Sequence, residues 1–111
     1  MNNNYKEIFN SYNDDNIGLE FYNKYYDFVY LLRQKNASSS KLSELYPLLQ
    51  YVNNMYDTLN SDEKTLTKNI ISIAKSIINS CKTYSKNIDE KRKMCQSLIE
   101  EIEQKQKEPI K

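Results

Sequence analysis

Beyond Ser61, apolar and basic positions follow a helical period that keeps its phase almost to the end of the chain. At about 100° per residue, Leu66, Ile70, Ile73, Ile77, Cys81, Tyr84, Ile88, Cys95, Ile99 and Ile102 project within a sector of roughly 80°. Lys64, Lys68, Lys75, Lys82, Lys86 and Lys93 occupy a sector of about 40° on the opposite side. Asn87 and Glu90 have the spacing of a capping box, but the phase of both faces runs through residues 85 to 90 unbroken. The pattern therefore predicts one helix over about 62–105, on the order of 65 Å long. Ile71, Ala74 and Ile78 widen its proximal apolar face enough for two neighbouring helices, whereas a narrow stripe survives beyond Tyr84. Tyr84, Ile88, Cys95, Leu98, Ile99 and Ile102 are thus expected to form a seam offered to a partner. Apolar residues recur at 66, 77, 88 and 99, an 11-residue repeat that favours a nearly straight or weakly right-handed coiled coil.

Two shorter helices precede it. From about 18 to 36 the apolar positions fall on two adjacent rows, Leu19, Tyr22, Tyr26, Val29 and Phe21, Tyr25, Phe28, Leu32, which make one broad face. NASSS at 36–40 reads as a joint whose serines cap the next helix. That helix, about 41–59, carries Leu42, Leu45, Leu49, Val52, Tyr56 and Leu59 in alternating steps of three and four. Pro47 lies off this stripe and predicts either a kink near 43–47 or a helix start delayed to about Tyr46. LNSDEK at 59–64 then signals a new start, with Asn60 or Ser61 as the cap and Asp62 and Glu63 against the positive end of the helix dipole. The expected fold is all-α: an antiparallel bundle of three helices, the last one long and projecting. The alternative, a chain reversal near residues 85–87, turns the same segments into a four-helix up-down bundle.

Composition narrows the picture further. The 111 residues suit a single helical domain over 18–111, preceded by a polar, partly disordered segment 1–17 in which Tyr5, Ile8, Phe9 and Tyr12 could form one or two turns. One Gly and two Pro are too few to punctuate a multi-stranded sheet. Sixteen basic and fifteen acidic residues leave a net charge of +1, so global charge argues for neither nucleic acid nor an anionic surface. No leader-like or membrane-spanning apolar run is evident, and the two cysteines read as reduced core thiols; both point to an intracellular, cytoplasmic protein. The abundance of Asn, Lys, Tyr and Ile matches the drift of an AT-rich genome, which weakens any inference from lysine or tyrosine counts.

Chemistry is sparse. With no His, no Gly-rich phosphate loop and no metal-ligand cluster, the chain is read as non-enzymatic and without cofactor. Leu45, Tyr46, Pro47 and Leu49, within LYPLL, resemble the LYPxL pattern with which some proteins bind ALIX-type adaptors of the ESCRT membrane-scission pathway. The resemblance implies a short-motif ligand, yet the helical stripe claims Leu45 and Leu49 for the core. The expected function is a protein-interaction or scaffold module that assembles with itself or a protein partner through the 84–102 seam, with no small-molecule substrate. An alternative is a peripheral module whose lysine ridge binds acidic lipid or a nucleic-acid backbone.

Overall fold

A computed structural model describes residues 14–35 and 38–107. The expected Tyr5–Tyr12 turns lie outside the described residues, as do positions 36–37 and 108–111. Within them the chain is all-helical and has no strand. A 3-10 turn (Asp14–Asn16) leads into α1 (Leu19–Arg33) and α2 (Ser38–Met55), which ends in a second 3-10 turn (Tyr56–Thr58); α3 (Ser61–Ser80) and α4 (Lys86–Lys107) follow. None of these helices is long and apolar enough to cross a membrane.

Helices α2 and α3 form a central pair, with α1 packed along one side of it and α4 along the other. Specific contacts give the directions. Lys24 sits over the Tyr51 ring at 5.0 Å while Lys41 Nζ donates to the Leu32 carbonyl at 3.1 Å, so α1 and α2 run antiparallel. Lys91 donates to Ser43 Oγ and Lys105 to the Asn53 carbonyl, each at 2.8 Å, so α2 and α4 run parallel. The resulting globule measures 41 × 38 × 20 Å, and its short dimension is about two helix diameters. Phe28, Leu42, Leu45, Leu49, Val52, Leu66, Ile70, Ile77 and Ile102 are completely buried at its centre.

The start of α3 matches its sequence signal. Asn60 Oδ1 accepts from the Glu63 backbone N–H at 2.8 Å, and Glu63 Oε1 accepts from the Asn60 N–H at 3.0 Å, a full capping box. The other Glu63 oxygen accepts from the Gly18 N–H at 2.8 Å, and Asn60 Nδ2 donates to the Asn16 carbonyl at 2.8 Å. One cap thereby pins the entry to α1. Gly18 suits this approach because a Cβ there would lie 3.0 Å from Glu63 Oε2.

Three expectations are corrected. The single helix over 62–105 is two helices, because the chain leaves helical geometry at Cys81 and residues 81–85 reverse its direction. The phase persists across the break because both helices turn the same kind of stripe toward the shared core: Leu66, Ile70 and Ile77 from α3, and Cys95, Ile99 and Ile102 from α4. The second helix starts at Ser38 rather than 41, so the serines of NASSS lie in its first turn. Pro47 sits inside α2, so of the two outcomes expected at this proline the start delayed to about Tyr46 is the one overturned. Its position is exposed, as is that of Ser43, so the carbonyl that a helical N–H at 47 would have bonded lies on the wet side of the helix.

Two predictions follow from this packing. Pro47→Ala restores a helical hydrogen bond on an exposed face and is expected to stabilise the protein by about 1–2 kcal/mol, whereas Leu45→Ala removes a fully buried side chain and costs about 2–5 kcal/mol; urea unfolding midpoints measure both. Burial raises the Cys95 thiol from its ordinary 9.0 to about 11. The folded state then keeps a proton that the unfolded state loses, so stability is intact below about pH 9 and declines toward pH 11. Tyr51 and Tyr56, both raised chiefly by burial, titrate in the same sense, so the alkaline decline in Cys95→Ala should be shallower than in wild type but not abolished.

Candidate protein-interaction surface

Helix α1 has more apolar surface than its neighbours cover. Phe21, Tyr25, Phe28 and Leu31 are buried against α2 and α3. On the opposite side Leu19 is 77% exposed, Tyr26 48% and Tyr30 68%, and these three project within about 40° of one another. The broad face expected for this helix is therefore split. Its Phe21 row enters the core, while Leu19 and Tyr26 of the other row face water and Tyr22 and Val29 are half-buried between them. Tyr22, Tyr25 and Tyr26 form a ring cluster with centroids 5.2 to 6.1 Å apart, which anchors the exposed Tyr26 to the buried Tyr25 in an edge-on contact.

Beside this stripe an open groove of about 410 Å³ separates α1 from α2. Its walls are Asp27, Tyr30, Leu31 and Gln34 from α1 and Glu44, Pro47 and Leu48 from α2. Apolar side chains line the groove and both charged groups on it are carboxylates. Pro47 contributes a rigid apolar ring whose backbone has no N–H to satisfy, and its place on this wall is one thing a mid-helix proline can do that alanine cannot.

The residues singled out from the sequence are distributed differently. Of the seam, Cys95, Ile99 and Ile102 are buried and Ile88 and Leu98 half-buried, all packed into the chain's own core; Cys95 Sγ donates to the Leu42 carbonyl at 3.7 Å. Only Tyr84 is exposed, at 71%. The seam offered to a partner is thus covered by α2 and α3, because the reversal folds it back. The same reversal divides the lysine ridge: Lys64, Lys68 and Lys75 lie on α3, Lys82 in the connection, and Lys86 and Lys93 on α4. Lys75 pairs with Glu103 at 2.6 Å and Lys64 sits over the Tyr56 ring at 5.2 Å. In LYPLL, Leu45 and Leu49 are completely buried, Tyr46 is half-buried and Pro47 exposed, so the motif's hydrophobic side chains are not presented together.

Arg92 carries a role that the periodicity does not announce. Its guanidinium lies 4.7 Å from the centroid of the Tyr84 ring, pairs with Asp89, and donates to the carbonyls of Cys81 at 3.2 Å and Thr83 at 2.9 Å. Those are carbonyls that a continuing helix would have bonded to N–H groups four residues on. The available signal was compositional: Arg92 is one of two arginines in a chain that otherwise uses lysine.

Among the described residues no group of three or more Cys, Asp or Glu could hold a metal ion. No protein-family model, curated protein or solved structure matches the chain. With Leu45 and Leu49 inside the core, the folded protein is expected not to displace a labelled LYPxL peptide from an ALIX-type adaptor in a fluorescence-anisotropy competition; displacement at micromolar protein would restore the short-motif reading.

Proposed function

We propose that the chain is a non-enzymatic, four-helix up-down interaction module that binds a protein segment along the exposed edge of α1. The observation that carries this reading is the alignment of Leu19, Tyr26 and Tyr30 on a solvent face beside the α1–α2 groove. Large apolar side chains exposed in a row are costly to leave in water, and a tyrosine combines contact area with a polar tip at low entropic cost. Asp27 and Glu44 give the groove a negative rim, so the complementary partner is an amphipathic segment with apolar side chains flanked by lysine or arginine.

Of the 84–102 seam expected from the sequence to drive assembly, Tyr84 is the exposed residue in the single chain, which gives that reading less support. Anion binding has narrower support: Lys68, Lys82, Lys86 and Lys93 are exposed, but they are divided between two helices and a connection and do not form one ridge. The lack of an ESCRT-type presentation of LYPLL leaves the α1 edge as the surface with the most to gain from being covered.

A synthetic amphipathic peptide built from Leu and Lys is the direct probe. In a heteronuclear NMR titration it should shift the resonances of Tyr26, Tyr30 and Leu48, and a Leu–Glu peptide of the same pattern should not. Tyr30→Ala and Asp27→Asn should each weaken binding by about tenfold, with the Asp27 effect shrinking as salt rises. Absent shifts at millimolar peptide, or shifts centred on α4 instead, would sink the proposal.

A further inference from the structure

We infer that the connection Cys81–Ser85 is a hinge through which two copies of this chain exchange α4, forming a domain-swapped dimer. This goes beyond the α1-edge reading and uses the other side of the molecule. Nothing in CKTYS forbids a helix: it contains neither Gly nor Pro, and its Cys81 and Tyr84 continue the apolar phase while Lys82 continues the basic one. If residues 81–85 became helical, α3 and α4 would fuse into one helix over 61–107, about 70 Å long, with a single apolar face throughout. The sequence pattern fits that fused state as well as the reversed one.

Fusion would pull α4 off its own core, and the surface it leaves has a specific occupant. Leu42, Ser43 and Asn53 of α2 all bond α4: Ser43 Oγ accepts from Lys91 and the Asn53 carbonyl from Lys105, each at 2.8 Å, Asn53 Nδ2 donates to Glu101 at 3.0 Å, and the Leu42 carbonyl accepts from Cys95 Sγ at 3.7 Å. A second copy's α4 restores every one of these contacts, so the exchange is nearly neutral except at the hinge itself. Helix α4 is also free to leave without dismantling the rest, because it sits on the outer side of the α2–α3 pair and α1 is packed on the opposite side.

The hinge is held closed by few contacts. Arg92 bonds the Cys81 and Thr83 carbonyls and stacks on Tyr84, while Ser85 caps the new helix, its carbonyl accepting from the Asp89 N–H at 2.8 Å and its hydroxyl from the Ile88 N–H at 3.4 Å. In the fused helix those carbonyls find backbone partners instead. Tyr84, 71% exposed in the single chain, would then lie on the apolar face of the fused helix. Opening therefore exchanges a side-chain latch for backbone hydrogen bonds, and the two states differ little in what they satisfy.

The test uses the full chain held at about 1 mM after thermal cycling and separated by size-exclusion chromatography with light scattering. Wild type should give a slowly exchanging dimer, and Arg92→Ala should raise the dimer fraction at a fixed concentration by about tenfold or more. If Arg92→Ala misfolds, Arg92→Lys, which keeps the charge but lacks the planar fork that bonds two carbonyls, should move the equilibrium in the same direction. Lys86→Pro should abolish the dimer and keep a folded monomer, since proline suits the first position of α4 and would break a helix running through it. Spin labels at Ser76→Cys and Gln104→Cys, with labelled chains diluted into unlabelled ones, report the geometry. These positions flank the Lys75–Glu103 contact in the reversed chain and lie about 42 Å apart along a fused helix. A long intrachain distance in the dimer supports the exchange; a short one, or wild type and both latch variants remaining monomeric, overturns it. Lys86→Pro should leave peptide binding at the α1 edge intact, so the two proposals fail separately.

Discussion

The reversal at residues 81–85 determines which faces of this chain meet water. It brings Lys75 within 2.6 Å of Glu103, two residues that a straight helix would hold about 42 Å apart, and it folds the narrow apolar stripe of α4 onto Leu42 and its neighbours. The geometry rests on carbonyl groups. Where the chain leaves the helix its carbonyls need other donors, and Arg92, nearly two turns inside the next helix, provides them for Cys81 and Thr83. With the turn made, α4 completes the cover over one side of the α2–α3 pair, and among the described residues Leu19, Tyr26 and Tyr30 of α1 make an apolar row left uncovered.

The two ends of α1 show the same dependence on neighbours. Its entry is tied to the cap of α3 through Glu63, and its exit is closed by Lys41, a buried lysine from α2 whose ammonium meets the Leu32 carbonyl where the helix dipole is negative. The Glu63 contact joins residues 45 apart in sequence, and the Lys41 bond spans the joint between α1 and α2. The exposed stripe is therefore carried on a helix clamped at both ends, which keeps Tyr26 and Tyr30 in register with the groove wall.

Much of the fold was legible from periodicity. The stripe from Leu42 to Leu59 is buried as its spacing required, and Asn60 with Glu63 caps α3 as LNSDEK indicated. The misreading of 62–105 has a definite cause. Two successive antiparallel helices that serve one core must each turn an apolar face inward, and when the turn between them spans a suitable number of residues the faces stay in phase with a helix that never bent. Only tertiary contacts such as Arg92 on Tyr84 separate the two cases, and contacts of that kind leave no period. The candidate surface was less legible for a related reason: both rows on α1 are apolar, and periodicity does not tell which one the packing of α2 and α3 buries.

The 20 Å thickness of the molecule bears on how it can be enlarged. In a slab two helices deep, every helix keeps one face in water, which suits a chain that is 28% charged and 39% hydrophobic. A third layer stacked on either broad face would require a helix apolar on all sides, and none of the four described helices is. Growth without redesign of the core is lateral, by adding helices along the rims formed by α1 and α4, so an assembly built from this unit would widen into a ribbon rather than thicken into a sphere.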